Sequence, residues 1–102
     1  MATLKELLDV LHEDEKLSPD GELAWACKLI VRVQAMTGGE RDTLRAAFKS
    51  GPLYDGDVPS KSARDALLEA GMIAKVVVKG EEGYNACTYR GSAAYRLLAA
   101  GA

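Results

Sequence analysis

Apolar residues recur along the first two thirds of this chain at helical spacing, and only afterwards does a strand-like alternation set in. Leu4, Leu7, Leu8 and Leu11 fall at i, i+3, i+4 and i+7, and Thr3-Leu4-Lys5-Glu6 ahead of them has the capping-box spacing. A short amphipathic helix is therefore expected, ending in the polar run His12 to Lys16. Ser18-Pro19-Asp20 opens a second helix: serine can cap, proline suits the first helical position, and an acid suits the first turn. It runs to about Met36. Leu23, Ala26, Cys27, Ile30 and Val31 form one stripe that Trp25, Leu29, Val33 and Met36 widen, the pattern of a mostly buried central helix.

Thr37-Gly38-Gly39-Glu40 repeats the capping-box spacing and starts a third helix with Leu44, Ala47 and Phe48 inward, stopped by Gly51 and Pro52. Gly51 to Pro59 reads as a loop rich in glycine, proline and aspartate. Ser60 can cap a fourth helix, Lys61 to Ala70, with Ala63, Ala66, Leu67 and Ala70 inward. Gly71 stands where a left-handed cap belongs, and Met72 is positioned to fold back on Leu67. Ile73 to Lys79 and Tyr84 to Thr88 are strand-like, and Gly80-Glu81-Glu82-Gly83 between them predicts a hairpin. Thr88 can cap a last helix carrying Ala94, Leu97 and Leu98.

The elements predict an α+β fold, mostly α, in one domain of residues 1–102: N-terminal helices over 1–36 and a helix-hairpin-helix unit over 37–102. A length of 102 residues suits a single modest core, and 48% hydrophobic with 27% charged residues is ordinary for a globular chain. No apolar stretch approaches the roughly 18 residues of a membrane span, since Arg32 interrupts Leu29 to Val33. The opening Met1-Ala2-Thr3-Leu4-Lys5-Glu6 lacks a secretory signal, so a cytoplasmic location and no membrane partner are expected.

The segment Ser60-Lys61-Ser62-Ala63-Arg64-Asp65-Ala66-Leu67-Leu68-Glu69-Ala70-Gly71-Met72-Ile73, with the hairpin and helix after it, resembles the recognition helix and wing of winged helix-turn-helix repressors. Members of that family often show a leucine-rich recognition helix, Gly-Leu-Ile or a close variant, a two-stranded wing and a Thr-x-x-Gly start to the next helix. Gly71-Met72-Ile73 and Thr88-Tyr89-Arg90-Gly91 stand at those places. The resemblance covers about half the chain, the first helices being an extension, and the whole is also similar to small prophage-encoded proteins of unknown role. It implies a DNA-binding module that acts in transcription regulation. One departure is that Gly51 to Pro59 gives nine residues where a turn of about 3 to 4 is usual before a recognition helix.

In a docked recognition helix the N-terminal end meets the major groove, which makes Ser60, Lys61, Ser62, Arg64 and Asp65 the candidate contacts. Lys75, Lys79 and Arg90 on the wing are candidates for the neighbouring backbone of double-stranded DNA. Charge tempers this reading. Residues 1–40 carry four basic and eight acidic groups, residues 41–102 nine basic and seven acidic, and Asp65, Glu69, Glu81 and Glu82 dilute the field of the second part. A winged-helix scaffold that binds a protein partner without DNA stays open beside the DNA reading. A continuous positive stripe from Lys61 to Lys79 favours DNA, a broken one protein.

Little else suggests chemistry, and no cofactor is implied. Asp55 and Asp57 in Tyr54-Asp55-Gly56-Asp57 have one residue between them, as a magnesium site would use them, but a polar turn explains them as well and no third carboxylate adjoins. His12 is the only histidine, which leaves almost no material for a histidine-paired nucleophile or a metal centre, so no enzyme is expected. Cys27 and Cys87 read as core thiols, and Trp25 and Tyr95 as core aromatics, while Tyr84 and Tyr89 on the wing are the candidates for contact with a partner. The stripe Leu4, Leu7, Leu8, Leu11 is expected to form a homodimer interface, the alternative being that it covers the chain's own core.

Overall fold

The computed structural model describes residues 2–12 and 22–102. The described residues form an α+β fold, mostly helical, of five helices and one three-stranded antiparallel sheet. The helices are α1 (Leu4–His12), α2 (Glu22–Gln34), α3 (Gly38–Ser50), α4 (Lys61–Glu69) and α5 (Tyr89–Ala99). The strands are β1 (Leu53–Tyr54), β2 (Ile73–Val78) and β3 (Glu81–Cys87), in the order β1-β3-β2. The Ser18-Pro19-Asp20 opening, the run after His12 and the side chains of His12 and Leu23 lie outside the described residues.

The chain divides into two units, Met1–Met36 with Arg96–Ala102, and Thr37–Tyr95. The expected division at Met36 put the whole C-terminal helix with the second unit. In the first unit α1 and α2 pack on each other. Thr3 and Glu6 form a reciprocal capping box, the Glu6 amide donating to Thr3 Oγ1 at 3.2 Å and the Thr3 amide to Glu6 Oε1 at 3.3 Å. Leu7, Leu11, Ala26, Leu29, Ile30 and Val33 are buried. Val31, expected inward, is exposed, and Trp25 is only half-buried.

In the second unit α3 starts on the capping box of Thr37 and Glu40 and ends on Gly51, whose φ of +74° and ψ of -156° define a backbone conformation that essentially only glycine adopts. Leu44 and Ala47 are buried; Phe48 stays 40% exposed and stacks on Tyr95 with ring centroids 4.2 Å apart. Ser60 caps α4, its Oγ accepting from the Ala63 amide at 3.2 Å. The helix ends in a Schellman motif: the Gly71 amide donates to Leu68 O at 3.1 Å and the Met72 amide to Leu67 O at 3.0 Å, with Leu67 and Met72 both buried.

The hairpin is tighter than the four-residue loop the sequence suggests. Val78 pairs with Glu81, so only Lys79 and Gly80 make the turn, with φ of +52° and +80°. Two consecutive positive φ values fit a type I′ turn, whose twist matches that of the strands it joins. The second half of the expected loop becomes the start of β3. Glu82 and Gly83 together oppose Val77, since Val76 pairs with Tyr84, and this bulge absorbs the extra residue.

The strand β1 was not expected. Leu53 pairs with Asn85 and Tyr54 with Tyr84, so the sheet has three strands where the sequence suggests a two-stranded wing. The rest of the expected loop is one 3-10 turn, Asp55–Asp57, leading to α4. Strand alternation gives one face Leu53, Ile73, Lys75, Asn85 and Cys87, and the other Tyr54, Ala74, Val76, Tyr84 and Ala86. The first face holds the buried residues Ile73 and Asn85; none of those named on the second is buried.

Candidate functional site

The residues expected to meet DNA belong to two groups in the structure, set apart by what already binds them. Asp55 is the centre of the larger group. Its Oδ1 accepts from Asn85 Nδ2 at 2.8 Å, from Arg64 NH1 at 3.2 Å and from the Lys75 ammonium. One carboxylate oxygen thus ties the 3-10 turn to α4, β2 and β3. Asn85 is 1% exposed, and its Nδ2 also donates to Leu53 O at 3.1 Å. Because both partners are acceptors, the amide must present its NH2 to them, and this leaves Oδ1 buried with no partner among the described residues.

This arrangement fixes the charge of Asp55. The Asn85 amide first, then the Lys75 ammonium, hold its carboxyl at about 2 against an ordinary 3.8, with partial desolvation opposing them and the nearby Lys75 and Arg64 charges adding to the fall. The two carboxylates suggested for magnesium are accordingly used otherwise. Asp55 faces cations, while Asp57 is exposed, and no group of three or more His, Cys, Asp or Glu suited to a metal occurs among the described residues.

Arg64 is stretched between two acids. NH1 donates to Asp55, while Nε and NH2 donate to Asp65 Oδ1 at 3.0 and 2.9 Å, and its side chain is only 17% exposed. Arg90 is engaged too: Nε donates to Ala70 O at 3.0 Å. Thr88 Oγ1 donates to Gly71 O at 2.6 Å and the Thr88 amide to Met72 O at 3.0 Å, so three successive carbonyls after α4 are taken up by the start of α5. Arg90 therefore serves as a clasp on the end of α4.

Lys61, Ser62 and Lys79 are exposed, and no hydrogen bond or ion pair joins the side chain of either lysine to another described residue. Ser60 and Ser62 lie with their hydroxyls 3.3 Å apart at the start of α4. Asp65 is exposed. The positive stripe from Lys61 to Lys79 is thus interrupted where Asp55 and Asp65 neutralise Arg64 and Lys75. An open depression of about 410 Å³ lined by Asp55, Lys75, Val76, Val77, Glu82 and Gly83 keeps the Asp55–Lys75 pair within reach of solvent.

Of the expected dimer residues, Leu7 and Leu11 are buried in the single chain, Leu8 is half-buried, and Leu4 alone is exposed, at 56%. The four-leucine interface is therefore reduced to Leu4 and part of Leu8, because the other two already serve the chain's own core. Tyr89 is exposed and Tyr84 half-buried, with the Tyr84 ring edge-on to Tyr54 at 5.5 Å. Sequence reasoning missed Asp55 as a partner of Arg64 and Asn85 as its anchor. Asn85, a polar residue in an apolar strand, was the available signal.

No family model, curated protein or solved structure matches this chain. Among the described residues no helix is long and apolar enough to cross a membrane.

Proposed function

We propose that the second unit is a winged-helix-like module that binds double-stranded DNA, with α4 as the groove-facing helix and the β2–β3 hairpin as the wing. The observation that carries this reading is the element order: α3, β1, the turn at Asp55–Asp57, α4, β2, β3, with the sheet ordered β1-β3-β2. A short helix ended by a glycine turn and followed by a two-stranded hairpin and a further helix is the arrangement the resemblance implies, and β1 adds a third strand to it. The exposed N-terminal turn of α4 supports it, because docked helices lead with that end and Lys61 and Ser62 stand there. Lys61 and Lys79 are the phosphate contacts in this reading, and Ser62 and Asp65 the groove-facing residues. A role in transcription regulation follows from the same resemblance.

The test is a titration of labelled duplex fragments at about 50 mM and about 200 mM salt. Binding that weakens with salt and is lost in Lys61→Ala plus Lys79→Ala supports the module. Absence of binding at the lower salt overturns it.

A second reading, a scaffold that docks a protein, is favoured by the exposed sheet face. Tyr54, Tyr84 and Val76 form one row across three strands, with Ala74 and Ala86 beside it, and none of the five is buried. The interrupted positive stripe suits this reading as well. Retention of a specific protein partner after nuclease treatment, lost in Tyr54→Ser plus Tyr84→Ser, would distinguish it.

A further inference from the structure

We propose that Asp55 is a brake on the DNA face: by holding Arg64 and Lys75 on one carboxylate oxygen it withholds two cations from phosphate and so sets the affinity of the module. The inference rests on the DNA reading and deepens it. Three observations support it. Arg64 on α4 and Lys75 on β2 come from the two elements that reading puts against the duplex, yet both end on Asp55 Oδ1. The carboxylate is itself anchored, because the buried Asn85 amide donates to the same oxygen and to Leu53 O, so Asp55 is not free to swing away. The Lys75–Asp55 pair lines an open depression, and its side chains are 47% and 35% exposed, so an outside anion can compete for the ammonium.

The groups facing this competition are few. Arg64 is shared with Asp65, and Glu82 stands on the wall of the same depression; both acids add to the restraint. Each cation that reaches a phosphate steepens the dependence of binding on salt by about one logarithmic unit. A brake that withholds two cations leaves the wild-type slope to Lys61 and Lys79. Neutralising Asp55 returns Lys75 first, since Arg64 keeps Asp65.

Asp55→Asn is the variant of choice, because its carboxamide oxygen still accepts from Asn85 Nδ2 while its charge is gone. Asp57→Asn makes the same change of net charge two residues away, at an exposed side chain with no hydrogen bond or ion pair to another described residue. Duplex binding is measured for the wild type and both variants as a function of salt, with circular dichroism as the check on folding. The expected result is about tenfold tighter binding for Asp55→Asn at low salt and a slope steeper by about one unit, against about twofold or less for Asp57→Asn. Equal effects of the two variants overturn the brake while leaving the DNA reading intact. Failure of all three proteins to bind overturns the DNA reading, and the brake with it. Binding by Asp55→Asn alone supports both. Should Asp55→Asn not fold, acetylation of the wild-type lysines decides: slower reaction of Lys75 than of Lys61 and Lys79 supports the brake, and equal rates overturn it.

Discussion

Gly91, in the first turn of α5, lies so close to Met72 that a Cβ there would stand 1.9 Å from the Met72 carbonyl oxygen and 2.8 Å from Cys87 Sγ. That oxygen also accepts the Thr88 amide, so neither side of the contact can retreat without breaking a hydrogen bond. Glycine in a helix ordinarily costs about 1 kcal/mol relative to alanine. Here the sign reverses. Gly91→Ala is expected to destabilise the fold by about 3 kcal/mol through overpacking. Gly38→Ala, with nothing within 4 Å of its Cβ, should be neutral or slightly stabilising. Urea unfolding of both variants checks this, and a stable Gly91→Ala would refute the close approach.

The turn Lys79-Gly80 holds a lysine at φ +52° where asparagine or glycine is easier to accommodate. Lys79→Asn should therefore stabilise the protein by about 0.5–1 kcal/mol. Thermal unfolding measures it. The same variant removes one of the two cations proposed to meet phosphate, so it should weaken duplex binding while raising the melting temperature, a combination general unfolding cannot produce.

Asp55 makes acid stability a test of its partners. Its folded pKa of about 2 lies below the ordinary 3.8, so its contribution is fully present above about pH 4 and disappears as the pH falls towards 2. The slope of unfolding free energy against pH between about 4 and 2 should be shallower in Asp55→Asn than in the wild type. An unchanged slope in that window would show that Asn85 and Lys75 do not hold the carboxylate in solution.

Leu7 and Leu11 give the dimer question a sharper form. With both buried, Leu7→Asp plus Leu11→Asp should abolish cooperative folding of the first unit rather than yield a folded monomer, since burying unpaired carboxylates costs several kcal/mol each. The surface left at Leu4, 56% exposed, and half-buried Leu8 amounts to about one leucine per chain, so the two chains of a dimer together contribute at most about 6 kcal/mol, less than the roughly 8 kcal/mol of a micromolar dissociation constant. Sedimentation at micromolar concentration is therefore expected to give the mass of one chain. Twice that mass, reduced to one by Leu4→Asp, would restore the interface.

Cys87 offers a probe of the packing behind β3. Burial pushes its thiol up, the Ser92 hydroxyl partly opposing, so in the folded protein it should alkylate slowly at pH 8 and rapidly once urea exposes it. Fast alkylation in the native state would mean that the start of α5 does not cover it.

The sequence by itself determined the elements whose causes are local. Thr3 with Glu6, Thr37 with Glu40 and Ser60 with Ala63 are caps closed within four residues, and Gly71 ends α4 through carbonyls in the preceding turn. Such signals lie beside the elements they govern, and the apolar periodicity between them reports one face of each helix. Tertiary structure decided what depends on pairing across the chain. The strand β1 exists because Leu53 and Tyr54 find β3 some thirty residues later, and Leu53-Tyr54 alone has no pattern long enough to reveal it. The candidate site changed for the same reason: Lys61 and Lys79 kept the freedom their sequence positions suggest, whereas Arg64, Lys75 and Arg90 met Asp55, Asp65 and the Ala70 carbonyl. Whether a cation is available to a partner is set by the acceptors within about 3 Å of it, and for Lys75 and Arg90 those acceptors lie twenty residues away in the chain.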